Sequence, residues 1–154
     1  MSEYQYYEWQ CIDRTLTAAE QAEVNGLSSH IHVTPTYAQV DYSWSSFKHD
    51  PARVLARHFD AFLYMANWGD HQLMFRFPKA LLEPTQVRPY LVDDRVDLAE
   101  VDDVYILEFR LSEEDPPDEW IEGEGMLLRL ARLRDDILQG DYRMLYLAWL
   151  RATE

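Results

Sequence analysis

Cysteine is almost absent from this sequence. Its single thiol, Cys11, excludes an intramolecular disulfide and any zinc site built from several thiolates. Long apolar runs are missing too: no window approaches the ~20 continuous apolar residues that a membrane-spanning helix requires. Met1-Ser2-Glu3-Tyr4 lacks the basic stretch and apolar run of a signal peptide, so a cytoplasmic location is expected. Glycine is scarce, with five residues, and no Walker or complete dinucleotide-binding pattern occurs. Gly123-Glu124-Gly125 precedes an expected helix, but Glu119, Glu122 and Glu124 would repel a phosphate there, so these glycines read as a turn.

Positive charge is also in short supply. Fourteen lysines and arginines face 28 aspartates and glutamates, a formal net charge of −14. The deficit is local. Between Asp93 and Glu124 stand 14 acidic residues against Arg95 and Arg110, a net of −12 that leaves −2 for the rest of the chain. Direct nucleic-acid binding and attraction to anionic lipid are disfavoured, because both begin with lysine and arginine contacts.

What is present is ample material for a core. Of 154 residues, 47% are hydrophobic and 14% aromatic, which suits one folded domain over 1–154 with an acidic irregular segment at about 93–124. Tyr7, Trp9 and Cys11 alternate with Glu8 and Gln10, the period of a half-buried strand. Thr17 and Glu20 have capping-box spacing, predicting a helix that ends near Gly26 in a left-handed cap. A short strand at His30 to Val33 precedes a second alternating stretch from Ala38 to Trp44.

Asp50-Pro51 marks a helix start, and the apolar run that follows extends the predicted helix to Asn67. Leu73, Phe75 and Phe77 predict a strand, as does Val104 to Leu111, while Lys79 to Glu100 reads as an irregular connection. Met126, Leu127, Leu130, Leu133 and Ile137 form a helical stripe, with Arg129, Arg132 and Arg134 placed elsewhere on the surface. Gly140 stops that helix and Asp141 caps a last one containing Leu145, Ala148 and Trp149. The expected fold is α+β: a four- or five-stranded, largely antiparallel sheet with helices on one face and a C-terminal helical hairpin.

Three stretches carry a resemblance. Tyr6-Tyr7-Glu8-Trp9-Gln10 with Asp13-Arg14, Phe59 through Gly69, and Gly140-Asp141 with Leu145-Tyr146-Leu147-Ala148-Trp149-Leu150 resemble uncharacterised bacterial cytoplasmic proteins of similar length over most of the chain. The resemblance implies a bacterial cytoplasmic origin and carries no activity, cofactor or site.

Several groups invite a chemical reading. His30 and His32, with His49 or Asp50 as a further ligand, are the candidate metal set; the plain alternative is surface histidines at a strand start. His58 with Asp60, and Asp70 with His71, pair an imidazole with a carboxylate, but residues two apart on a helix point in different directions. His58 is expected at a helix surface or boundary, and His71 at a strand entry. Cys11 shares a face with Tyr7 and Trp9, which suits packing better than catalysis. Asp93 to Asp103 lacks the glycine and final glutamate of a calcium loop and reads as a solvated acidic loop. Trp120 and Tyr90 are aromatic candidates for a partner contact.

No cofactor is expected. The preferred functional reading is a non-enzymatic interaction module that binds a basic protein surface. Asp93, Asp94, Asp97, Asp102, Asp103, Glu113, Glu114, Asp115 and Trp120 are its expected contact residues. Alternatives are a metal-assisted hydrolase built on the histidines and, as a minor case, an inhibitor that mimics DNA.

Overall fold

The first strand explains the architecture. In β1 (Tyr4–Gln10) Tyr7 and Trp9 bury against one apolar cluster while Tyr4 and Tyr6 bury against another, so the strand is covered on both faces. A computed structural model describes residues 3–112 and 126–153. After β1 come α1 (Ala18–Asn25), β2 (His32–Val33), β3 (Tyr37–Ser43), α2 (Pro51–His58), β4 (Ala61–Ala66) and β5 (Asp70–Pro78). They are followed by α3 (Pro84–Val87), β6 (Val96–Val101), β7 (Val104–Ser112), α4 (Met126–Leu138) and α5 (Arg143–Ala152).

Among the described residues seven strands form one sheet in the order β2-β3-β1-β4-β5-β7-β6, with every adjacent pair antiparallel. The count exceeds the expected four or five. Helices also occupy both faces rather than one: residues of α1 and α2 join the cluster under Trp9, and residues of α3, α4 and α5 join the one under Phe75. None of the helices described is long and apolar enough to cross a membrane.

The expected long helix from Pro51 divides. Asp50 accepts from the Ala52 amide at 3.0 Å and Pro51 occupies the first turn, as anticipated, but α2 ends at His58. Ala61–Ala66 then forms a strand between β1 and β5. A strand covered on both faces loses its alternation and looks like an all-apolar helix. Phe62 belongs to one apolar cluster and Leu63 to the other.

The Thr17–Glu20 capping box forms reciprocally, at 3.1 Å in each direction. Gly26, expected to be left-handed, has φ −75° and closes α1 in a right-handed conformation with its amide on the Ala22 carbonyl. Gly140 does end α4 at φ 86°. Of the acidic segment residues 93–112 are described, and there β6, which was not expected, lies beside the strand expected from Val104.

Candidate functional site

The β6–β7 hairpin is made by its sequence alternation and its turn. Val101 and Val104 face each other, and Asp102 and Asp103 between them have φ 51° and 83°. Positive φ at both central residues gives the twist that suits a two-residue hairpin, and aspartate tolerates this region better than most side chains. Asp97, Ala99 and Val101 share the α2 face of the sheet with Glu108, Ile106 and Val104. On the opposite face Val96 and Leu98 pack towards α5.

This hairpin and the turn leading into it hold the described acidic residues that the sequence singled out. Asp93, Asp94, Asp102 and Asp103 are exposed and Asp97 is half-buried. Lys79 neutralises part of the tip, with Nζ 3.1 Å from Glu100 and 3.4 Å from Asp103. Hydrogen bonding to Glu100 holds the Lys79 ammonium above the usual lysine range. Arg95 turns away and donates to the Ala152 carbonyl at 3.1 Å. Among the described residues no cation forms an ion pair with Asp93, Asp94, Asp97 or Asp102. Glu113, Glu114, Asp115 and Trp120 lie outside the described residues.

A groove of about 180 Å³ opens on the α2 face beside this hairpin. Met74, Ala99, Val101 and Ile106 supply its apolar lining. Asp50, Asp97 and Glu108 stand around it with one cation, Arg110. Gln72 and Arg110 both donate to Oε2 of Glu108, the latter at 3.0 Å.

The remaining candidates separate. His32 lies on β2 beside Tyr37, whereas His30 precedes that strand and meets the edge of Tyr42. His49 packs against Phe47, and Asp50 spends one oxygen on the α2 cap. Among the described residues no three histidine, cysteine, aspartate or glutamate side chains form a group able to hold a metal. His71 sits at the entry to β5, and Asp70 instead accepts from Trp68 and Ser112, which hold its carboxyl below the usual range. Tyr90 is half-buried against Tyr142.

His58 is the last residue of α2, a boundary position as expected, but it is buried rather than at the surface. Its ring nitrogens lie 3.4 Å from Glu20 and 3.8 Å from Glu23, so the end of α2 docks on α1. Cys11 Sγ approaches the His58 backbone carbonyl at 3.5 Å. Burial pushes this thiol up to about 11, the opposite of an activated nucleophile.

Sequence reasoning missed a second concentration of charge. Arg134, expected at the surface, is 1% exposed. It donates to the Arg76 carbonyl at 2.8 Å, pairs with Asp13 at 3.1 Å and lies over the Phe77 ring at 5.4 Å. Asp60, equally buried, accepts from the Ile12 and Asp13 amides at 2.7 and 3.1 Å. The available signal was spacing: Arg134 follows Leu127 by two helical turns and precedes Ile137 by three residues, on the buried stripe. Through these contacts the network fastens α4 to the sheet.

Fold and site together define an antiparallel α+β protein with a charged outer hairpin. Comparison with protein-family models, curated proteins and solved structures finds no match.

Proposed function

We propose that this protein is a non-enzymatic interaction module whose acidic β6–β7 hairpin docks a basic surface on a partner protein. One observation carries the reading: at an outer hairpin and the turn leading into it, Asp93, Asp94 and Asp102 are exposed and Asp97 is half-buried, with no ion-pair partner among the described residues. Unpaired carboxylates raise the encounter rate with a basic surface and weaken in effect as salt screens them. They are also poor company for a second acidic surface, which favours specificity.

The test compares wild-type protein with a variant in which Asp93, Asp94 and Asp102 are each changed to lysine. A partner is captured from a native lysate, purified and titrated against both proteins at low and moderate salt. The expected result is a salt-sensitive association that the variant loses. Equal affinity for wild type and variant, with no salt dependence, would remove the reading. Addition of duplex DNA separates the mimicry case, since only a nucleic-acid-binding partner would be competed away.

A further inference from the structure

A strand with a neighbour on one side only leaves half of its peptide groups outside the ladder. In β6 these belong to Leu98 and Glu100. Antiparallel pairing alternates residues that face the neighbouring strand with residues that face away. Val96 faces away, since its amide and carbonyl bond Val92 at 3.2 and 3.0 Å. Val101 faces inward across the turn to Val104. By alternation Leu98 and Glu100 present their N–H and C=O groups outward, and among the described residues no strand lies beyond them.

We propose that β6 accepts an extended basic segment of the partner as an additional antiparallel strand, and that a lysine or arginine opposite Ala99 enters the groove beside α2. The inference rests on the docking role proposed above and supplies its mode. A residue directly opposite Ala99 projects to the same face as Asp97, Ala99 and Val101. Ala99 is small and exposed, which leaves the mouth of the groove open. Met74 and Ile106 offer apolar surface to the aliphatic stem, as long cationic side chains require.

The charged head would then meet carboxylates. Asp97 and Glu108 are opposite each other across the hairpin, and Asp50 lines the same groove. The bonds from Gln72 and Arg110 both fall on Oε2 of Glu108, so its Oε1 has no donor among the described residues. Charge also selects the occupant. A second copy of this chain would set Asp97 and Glu100 against their own kind, whereas a basic strand is complementary.

Hydrogen exchange of the full chain, with and without an acetylated and amidated peptide of alternating valine and lysine, tests the proposal at moderate salt. Lysine opposite Ala99 puts the flanking valines opposite Leu98 and Glu100, with their amides towards β6. Saturating peptide should slow exchange at the Leu98 and Glu100 amides about tenfold or more. N-methylation of the valines should abolish this protection, while N-methylation of the lysines should leave it. Ala99→Phe, at an exposed edge position, should weaken binding about tenfold by closing the groove mouth.

Equal binding by the valine-methylated peptide overturns strand addition, and undiminished binding to the Ala99→Phe variant overturns occupation of the groove. Binding of a lysine-rich helical peptide, but not of the alternating one, would leave the docking role standing and remove only its proposed mode. Binding of neither peptide would count against the docking role itself, and the strand proposal would fall with it.

Discussion

Arg134 and Asp60 place a guanidinium nitrogen and a carboxylate oxygen 3.7 Å apart, with 1% and 4% of their side chains exposed. That Arg134 nitrogen has no hydrogen-bond partner among the described residues, so attraction to Asp60 is what offsets its removal from water. Arg76 approaches the same Asp60 oxygen at 3.8 Å. Breaking such a pair from one side strands a charge in the interior.

Arg134→Ala is therefore expected to destabilise the protein by about 3–5 kcal/mol, measured by urea unfolding. Asp60→Asn should also destabilise, since it leaves two guanidinium groups facing an amide. Combined, the two changes should cost clearly less than their sum, because each removes the charge that the other strands. Strict additivity would show that α4 is held by packing alone.

Glu20 gives stability a pH dependence at the acid end. Its carboxylate accepts from the Thr17 amide, bonds Arg14 at 3.0 Å and approaches His58, and these contacts lower it to about 2 from 4.5. A group lowered on folding stabilises above its unfolded value and loses that contribution as pH falls through the folded one. The stability gap between wild type and Glu20→Gln should hold near neutrality and shrink between pH 4.5 and about 2. A gap unchanged over that window, followed by thermal unfolding, would contradict the assignment.

Cys11 should resist alkylation while the protein is folded. Its thiol is 6% exposed and burial pushes it up to about 11, so little thiolate exists at pH 8. Iodoacetamide should label the native protein at least about tenfold more slowly than the urea-unfolded chain. Similar rates, followed by mass spectrometry, would reveal an accessible thiol.

Asp103 occupies a backbone region in which glycine is less strained. Asp103→Gly sacrifices an exposed ion pair with Lys79, a small loss, and relieves the φ of 83°. The expected gain is about 0.5–1 kcal/mol, which corresponds to roughly 1–4 °C in melting temperature for a domain of this size. A lower melting temperature would mean that the carboxylate supports the turn more than its backbone costs.

Local grammar was legible where it is set by neighbouring residues. The Thr17 capping box, the Asp50-Pro51 helix start, the Gly140 stop and the alternation of Leu73, Phe75 and Phe77 all follow from short-range chemistry. Properties set by distant segments were not. Ala61–Ala66 has no period because its two faces meet different layers, and the acidic residues of β6 hid a strand that needs β7 beside it. The acidic region was visible as composition, while its two-residue turn and adjoining groove emerged only from pairing. Arg134 was misplaced because an arginine on an apolar stripe is ordinarily solvated, and the buried Asp60 that accompanies it is 74 positions away in the chain.

The interior position of β1 in the sheet bears on how the molecule is made. β1 needs β3 on one flank and β4 on the other, both of which follow it in the chain, so it has no complete set of neighbours until Ala66 has been made. Until then its tyrosines and Trp9 offer two open edges and two sticky surfaces to any other nascent chain. Slow translation between Tyr4 and Ala66 would lengthen that vulnerable interval, and a holdase chaperone that recognises aromatic stretches would limit its consequences.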